Sequence, residues 1–271
     1  MTTADLLPLE EGPSLGAVLD PVLDRAASEI EAFQSGPELV RFKHSVHGGM
    51  EPVTELDLRI QDLITTALEQ AWPGLPVIAE EGRESIGHVP ENCVLVDPLD
   101  GTVPFLEGNP AFAIAVCLVR SGRPVQAIVD LPAYQVRVST TGAELAVTGD
   151  VSRLPSFDPD TVLTSPRHTD LAARLLPSRP VAAVPTASVK MVLVALGRAR
   201  AAAYLPAARG SAAPWDYAAA ALAVHAAGGE ARDPAGRNLA RTLPARLDGW
   251  LATSHAPRPP GDLKPLMLPA R

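Results

Sequence analysis

The segment Asp97–Thr102, with the sequence DPLDGT, carries two carboxylates three residues apart, directly after the apolar run 93–96. A buried strand ending here would deliver both acids to its carboxyl end, and the proline and glycine indicate a tight turn. Hard divalent cations such as Mg²⁺ bind oxygen ligands, typically a few carboxylates together with water and substrate phosphate. The spacing therefore predicts a divalent cation site, and the alternative is an ordinary acidic turn.

Further acidic residues stand at the ends of other predicted elements. Glu80 and Glu81 follow the short apolar run 76–79, Asp57 lies in the first turn of a predicted helix, and Asp216 opens an alanine-rich helix. Each also has a plain structural explanation. Asp57 and Asp216 can be favourable charges at helix N-termini, where the helix dipole stabilises an anion, and the glutamates can form a solvated turn.

Taken together, these segments resemble the inositol monophosphatase family in order and spacing, from about residue 43 to about residue 240. The segments that carry the resemblance are PVTELD at 52–57, AEEG at 79–82, DPLDGT at 97–102, WDYAAA at 215–220 and AAGG at 226–229. Ala79 is a departure, because glycine is usual before Glu80, and Ala187 is another, because glycine is usual before Ser188 in the 3′(2′),5′-bisphosphate nucleotidase branch.

The resemblance implies a site for two or three Mg²⁺ ions. Glu80 would bind the first ion and help to hold a nucleophilic water. Asp97 would bridge two ions, and the backbone carbonyl of Leu99 would complete the first site. Asp100 and Asp216 would close the second site from opposite halves of the chain.

The resemblance also implies how water and phosphate are held. Thr102 would orient the attacking water, with Asp57 hydrogen-bonded to its hydroxyl group. The backbone N–H groups of Gly101 and Thr102 would bind phosphate, and Asp216 would contribute to substrate binding as well as to the metal site.

The expected activity is a Mg²⁺-dependent phosphomonoesterase, in which a metal-activated water attacks phosphorus in line and no covalent intermediate forms. Buried carboxylates without a cation would repel one another, and a dianionic phosphate needs charge neutralisation before a nucleophile can approach. The family resemblance implies inhibition by Li⁺. A hypothesis of another class is a catalytically silent module that binds a metal or a phosphorylated metabolite.

The substrate is indicated by weaker features. The segments 164–168 and 187–190 resemble the 3′(2′),5′-bisphosphate nucleotidase branch, which makes Ser188 and Lys190 candidate substrate contacts. Arg209 stands seven residues before Asp216, where inositol monophosphatases carry an acid, and a cation there favours an anionic or planar group. Lys190 can equally be a lysine on the surface of a helix. The alternative for Arg209 is a solvated arginine in a loop. Inositol, histidinol, sugar and nucleoside phosphates are the alternative substrates.

Composition excludes several partners. The 271-residue chain has a net charge of −8 and no basic run, so we expect no nucleic-acid polymer as partner. It has no apolar stretch of about 18 residues, and its first residues do not show the basic segment followed by an apolar core that is typical of a signal peptide. We therefore expect a cytoplasmic protein without a membrane partner. The only cysteines, Cys93 and Cys117, are expected to be buried free thiols. The family resemblance implies a homodimer that binds a small phosphorylated metabolite.

Hydrophobic periodicity indicates the elements that must position these residues. Helices are predicted at 14–34, 54–71 with Thr54 as N-cap, 169–176, 188–196 and 216–227, the last ended by Gly228–Gly229. Strands are predicted at 76–79, 93–96, 111–120, 125–131, 135–140, 162–164, 181–184 and 201–204, with a loop at 42–52 and a hairpin turn at 121–124.

The order of these elements predicts an α/β protein in two parts. An α+β domain with an antiparallel sheet covers 1–145 and carries most metal ligands. An α/β domain covers 146–271 and carries Asp216 and the residues for substrate specificity. The family resemblance, rather than periodicity, implies a layered α/β/α/β/α sandwich.

Overall fold

A computed structural model describes residues 12–33, 40–44, 50–82, 87–205 and 212–255, together with 263 and 266. The α-helices in these residues are α1 (Leu15–Phe33), α2 (Glu55–Ala71), α3 (Thr102–Leu106), α4 (Thr169–Leu175), α5 (Ala187–Ala195) and α6 (Pro214–Ala226). The strands are β1 (Val40–His44), β2 (Met50–Thr54), β3 (Val77–Ala79), β4 (Cys93–Asp100), β5 (Ala113–Arg120), β6 (Arg123–Leu131), β7 (Val136–Thr141), β8 (Glu144–Thr148), β9 (Val162–Thr164), β10 (Val181–Ala183), β11 (Ala201–Tyr204), β12 (Glu230–Arg232) and β13 (Trp250–Thr253).

The larger sheet has six strands in the order β3-β4-β5-β6-β7-β8. Strand β3 is parallel to β4, and every later neighbour is antiparallel. The antiparallel pairing follows from short connections, such as the predicted hairpin turn between β5 and β6, where Ser121 and Gly122 both have positive φ.

Both faces of this sheet are buried. Along β4, Val94 and Val96 pack in the cluster formed with α1 and α2, whereas Cys93 and Leu95 pack in the cluster formed with α5 and α6. Because successive side chains of a strand point to opposite faces, a strand covered on both sides is an uninterrupted apolar run. The predicted burial of free Cys93 and Cys117 is confirmed.

The smaller sheet has the order β10-β9-β11-β13-β12, with β9, β10 and β11 parallel and β13 antiparallel to its neighbours. Helices α5 and α6 lie between the two sheets, and α4 covers the outer face of the smaller sheet together with Leu263 and Leu266. The layers are therefore α1 and α2, the larger sheet, α5 and α6, the smaller sheet, and α4. This is the layered α/β/α/β/α sandwich that the resemblance implied.

The structure corrects part of the sequence-based assignment. The predicted loop at 42–52 is wrong in its described residues, because β1 and β2 form an antiparallel pair with Phe42 opposite Pro52. Polar residues alternate with apolar ones in β1, so a two-residue period was present in a segment that composition alone classes as a loop. Residues 45–49 lie outside the described residues.

The sequence also gives no prediction for β8, β12 or β13, which are short or polar. Strand β8 extends the larger sheet to Thr148, three residues past the expected domain boundary at 145. The division into 1–145 and 146–271 stays a prediction. Among the described helices, none has the length and apolar character that a bilayer crossing requires.

Candidate active site

The Asp97–Thr102 segment forms the carboxyl end of β4 and the start of α3. Asp97 pairs with Ala115 and Asp100 with Ala113, so the β4 side has one extra residue, which is a β-bulge. Pro98 lies in the bulge, where its missing N–H group leaves no gap in the ladder of hydrogen bonds. The Leu99 N–H donates to Asp97 Oδ1 at 3.1 Å. The bulge therefore lies between the two acids, both of which stay paired with β5.

Gly101 follows with a φ of +102°, in the left-handed region that favours glycine. A Cβ atom at this position would lie 2.7 Å from Thr186 Oγ1 and 3.2 Å from the carbonyl oxygen of Ala111. The Thr186 hydroxyl donates to that same carbonyl. The acidic turn is therefore packed closely against the residue that precedes α5.

The predicted pair of Asp57 and Thr102 is present. Thr102 Oγ1 donates to Asp57 Oδ1 at 3.0 Å and lies 3.3 Å from the Leu99 carbonyl oxygen. Thr54, the predicted N-cap of α2, donates its backbone N–H to Asp57 Oδ2 at 2.8 Å, which completes a capping box. Asp57 is 1% exposed, and burial raises its pKa. The helix start thus fixes the carboxylate on which Thr102 depends.

Four predicted metal ligands line one cavity of about 490 Å³. Glu80 follows β3, Asp97 and Asp100 end β4, and Asp216 lies in the first turn of α6. Asp216 Oδ2 accepts the N–H of Ala213 at 2.6 Å, which orients this carboxylate. Leu99 also lines the cavity. Residues distant in sequence therefore meet, because the larger sheet and α6 pack directly together.

The electrostatics of this cavity are unfavourable for so many carboxylates. Burial, followed by the charges of Glu80, Asp100 and Asp216, raises the pKa of Asp97 well above its usual range. Burial raises the pKa of Asp100 to about 6, although a hydrogen bond from Ser188 opposes the shift. A bound cation would relieve this repulsion.

Lys43 supplies a positive charge at the edge of the cluster. Its Nζ lies 2.7 Å from Glu80 Oε1 and 2.7 Å from Glu81 Oε1, and burial with the Glu80 charge raises the pKa of Glu81 to about 7. Sequence reasoning missed Lys43, because it lies in the segment taken for a loop and no motif distinguishes it. No three His, Cys, Asp or Glu side chains in the described part of the chain are arranged to hold a metal ion as they stand.

The donor set nevertheless fits Mg²⁺. All four side chains are carboxylates, which are hard oxygen ligands, and the backbone carbonyl of Leu99 would be a fifth oxygen ligand. They line a cavity large enough for ions, water and a phosphate group, and burial together with their mutual repulsion raises the pKa of Asp97. Glu80 would exchange its contact with Lys43 for the cation.

The candidate substrate residues have different surroundings. Lys190 borders the cavity but is only 1% exposed, so the alternative of a surface lysine is wrong. Ser188 is fully buried, and its backbone N–H donates to Asp100 Oδ2 at 2.8 Å. Arg209 lies outside the described residues. Substrate contact by these three residues stays a prediction.

Arg167 and Tyr204 form a further part of the cavity wall. Arg167 Nη2 donates to the Tyr204 hydroxyl at 2.8 Å, and the guanidinium carbon lies 5.4 Å from the ring centre. The sequence points to Tyr204 only as one of two nearby aromatic residues that could stack on a nucleobase, and it does not single out Arg167. The signal that could have found Arg167 is its place in the segment 164–168, whose resemblance to the nucleotidase branch was noted.

Comparisons with known proteins agree with this geometry. The profile of the inositol monophosphatase family matches residues 17–259. The 3′(2′),5′-bisphosphate nucleotidase CysQ of Salmonella typhimurium is 30% identical over 199 residues, which are 69% of this chain and 78% of that protein. CysQ of Haemophilus influenzae is 34% identical over 109 residues, 37% of this chain, and the match spans only about two fifths (40%) of that relative's length.

The fold is shared with solved structures. A crystal structure of an IMPase/NADP phosphatase complexed with Mg²⁺ and phosphate superposes with a TM-score of 0.70 at 18% identity. The match covers 89% of this chain and 91% of that chain. Since the family profile spans most of the sequence and the layered fold is the same, this protein belongs to the inositol monophosphatase family.

Proposed function

We propose that this protein is a Mg²⁺-dependent phosphomonoesterase that hydrolyses a small phosphorylated metabolite. The observation that carries the proposal is one cavity lined by Glu80, Asp97, Asp100 and Asp216, beside the hydrogen-bonded pair of Thr102 and Asp57. Carboxylates of this number and placement are the expected inventory for phosphoryl transfer, in which the protein positions groups and stabilises charge.

Glu80, Asp97, Asp100, Asp216 and the Leu99 carbonyl would hold two or three ions. Bound Mg²⁺ neutralises phosphate charge, lowers the pKa of water and stabilises the leaving oxygen. The Mg²⁺ and phosphate in the IMPase/NADP phosphatase structure support this assignment. Inhibition by Li⁺ belongs to the same proposal.

Thr102 and Asp57 orient the water. A hydroxyl group has one proton to donate and two lone pairs that accept. Because the Thr102 proton is directed to Asp57 Oδ1, the lone pairs of its oxygen are free to accept a hydrogen bond from a water molecule on the cavity side. The water oxygen then presents a lone pair to phosphorus. The backbone N–H groups of Gly101 and Thr102 bind the phosphate oxygens, and Asp216 also contacts the substrate.

The finer proposal is a 3′(2′),5′-bisphosphate nucleotidase-like activity. Two CysQ relatives support it. Arg167 and Tyr204 support it too, because a guanidinium group and an aromatic ring on the cavity wall suit an anionic nucleotide better than a polyol. Arg209 is proposed as a second cation. Inositol, histidinol, sugar and nucleoside phosphates remain the alternative substrates, and we propose a cytoplasmic homodimer.

A phosphate-release panel tests the proposal. The purified chain is assayed with and without Mg²⁺ on adenosine 3′,5′-bisphosphate, inositol phosphate, histidinol phosphate and sugar phosphates. We expect Mg²⁺-dependent release, with the highest kcat/KM for the bisphosphate. A preference for another ester would change the substrate and keep the enzyme. If none of these esters releases phosphate, the catalytically silent module replaces the phosphatase.

Asp97→Asn provides the first prediction. It removes the charge of the most central carboxylate, so kcat should fall at least about 1,000-fold, since metal catalysis supplies several kcal/mol. Glu107→Gln is the matched control, because Glu107 also borders the cavity and is not an assigned ligand. Steady-state kinetics and circular dichroism measure activity and folding. Near-normal turnover of Asp97→Asn would contradict the metal mechanism.

A further inference from the structure

The sequence marks Lys190 as a substrate contact, but its surroundings indicate another role. We propose that Lys190 is a positioning residue: it holds the segment Val184–Ser188, which in turn orients Asp100, and it does not bind the substrate. The inference rests on the proposed function for its kinetic readout. Its binding readout, Mg²⁺ affinity, does not depend on knowing the substrate.

The hydrogen bonds of the Lys190 ammonium group are all used within the protein. Nζ donates to Ser165 Oγ at 3.0 Å, to the Val184 carbonyl at 3.1 Å and to the Pro185 carbonyl at 3.3 Å. An ammonium group has three protons and three acceptors satisfy them. At 1% exposure, Lys190 also has little surface to offer a phosphate group. A substrate contact would require it to give up one of these partners.

The three acceptors of the Lys190 ammonium group lie in two different connections of the smaller sheet. Ser165 follows β9, whereas Val184 and Pro185 lie in the connection between β10 and α5. Lys190 itself is in α5, so its side chain reaches back over the start of its own helix. Nζ also lies 5.8 Å from the ring centre of Trp250, which closes one side of the position. Lys190 therefore ties the start of α5 to the end of the neighbouring strand.

The segment held in this way is the one that touches the acidic turn. Thr186 Oγ1 bonds to the carbonyl of Ala111 and leaves no room for a side chain at Gly101. Two residues later, the Ser188 N–H donates to Asp100 Oδ2 at 2.8 Å. These contacts fix the direction of one proposed metal ligand. The chain of contacts is Lys190, the 184–188 segment, and then Asp100.

Lys190→Met tests the proposal in the full-length protein, because methionine has a similar length and no donor. The matched control is Arg167→Gln, which alters a cation on the same cavity but leaves the Val184–Ser188 segment intact. Each variant is assayed on adenosine 3′,5′-bisphosphate and on adenosine 2′-monophosphate. Mg²⁺ affinity of the substrate-free protein is measured by isothermal titration calorimetry.

We expect Lys190→Met to weaken Mg²⁺ binding about tenfold and to lower kcat by a similar factor on both substrates, as expected for the loss of charged hydrogen bonds. The ratio of the two KM values should stay that of the natural protein. Arg167→Gln should change this ratio and leave Mg²⁺ affinity unchanged. An increase in KM confined to the bisphosphate in Lys190→Met, with Mg²⁺ affinity unchanged, would overturn the proposal.

Ser165→Ala covers the case in which Lys190→Met fails to fold, since it removes one acceptor and keeps the lysine. It should weaken Mg²⁺ binding about threefold, a fraction of the loss expected when all the hydrogen bonds go. Unchanged Mg²⁺ affinity in Ser165→Ala would then overturn the proposal. If the natural protein hydrolyses no ester, the proposed function fails, while the Mg²⁺ affinities still decide the role of Lys190.

Discussion

At the scale of single residues, the groups that line the cavity are distinct from the groups that hold them in place. Thr102 borders the cavity, whereas Asp57 is buried behind it and fixed by the capping box of α2. The Thr102 hydroxyl is the link between the two. A carboxylate in this position sets the direction of a hydroxyl proton without itself reaching the substrate.

Thr102→Val tests that link, because valine has the same shape and no hydroxyl. We expect kcat to fall about 100-fold or more, in the range of a lost general acid–base or orienting group, with little change in KM. Thr102→Ser keeps the hydroxyl and should retain most of the activity. Kinetics at saturating Mg²⁺ compare the two. Retained activity in Thr102→Val together with lost activity in Thr102→Ser would show that the methyl group, rather than the hydroxyl, is needed.

Gly101→Ala tests the close approach of the acidic turn to Thr186. Alanine would have to adopt a φ of +102° and place Cβ 2.7 Å from Thr186 Oγ1, so unfolding free energy should fall by about 1–3 kcal/mol and activity should be lost. Gly74→Ala is the control, since Gly74 has a φ of +84° with nothing near its Cβ position. Gly74→Ala should lower the unfolding free energy only through the strain of a positive φ, and it should leave kcat unchanged. Urea unfolding and kinetics measure both.

At the scale of elements, function depends on where strands and helices end. The β-bulge at Pro98 interrupts the regular pairing of β4 between its two acids, and the N-termini of α2 and α6 supply Asp57 and Asp216. The backbone N–H groups at a helix start are ready hydrogen-bond donors for carboxylates. Asp57 and Asp216 therefore each accept a hydrogen bond at the start of a helix and also belong to the candidate site.

Thr54→Ala tests this double role at the start of α2. The variant removes the side-chain cap and should lower the unfolding free energy by about 1 kcal/mol, the usual cost of losing an N-cap. Because Asp57 also loses its bond from the Thr54 hydroxyl, kcat should fall as well. Thr54→Ser restores both contacts and serves as the control in urea unfolding and kinetics. A loss of stability with unchanged kcat would show that the Thr54 cap stabilises α2 but does not position Asp57 for activity.

At the scale of the whole molecule, the central layer of α5 and α6 brings the site together. Helix α6 packs between two sheets, and its residues Pro214–Val224 are all buried. Small alanine side chains allow a helix to approach a sheet closely on each side. This close packing carries Asp216 from the second half of the chain to the acids of β4.

Ala220→Leu tests the central layer. Ala220 is fully buried between the sheets, and the added volume should lower the unfolding free energy by about 1–3 kcal/mol, the usual cost of overpacking. Ala226→Leu, at the half-buried end of the same helix, should change stability by less than about 0.5 kcal/mol, as is usual for substitutions outside the core. Urea unfolding compares the two. An equally small loss of unfolding free energy in both variants would show that the central layer can accommodate the larger side chain.

Local patterns predicted much of this architecture. The apolar run before Asp97 and the stripe of α2 indicated buried elements, and Thr54 was a recognisable cap. The polar hairpin β1–β2 was wrongly taken for a loop, and β12 and β13 were not predicted. Short strands with mixed polarity are formed by pairing with distant neighbours, so their own residues carry little signal.

The sequence by itself determined which residues are the candidates for chemistry, because motif order and spacing marked Glu80, the Asp97–Thr102 turn and Asp216. Only the tertiary structure decided what those residues meet. Lys43 beside Glu80, and the burial of Lys190 behind the start of α5, arise from contacts between segments far apart in the chain. Such contacts depend on how layers pack, and packing is a property of the whole fold that no single segment encodes.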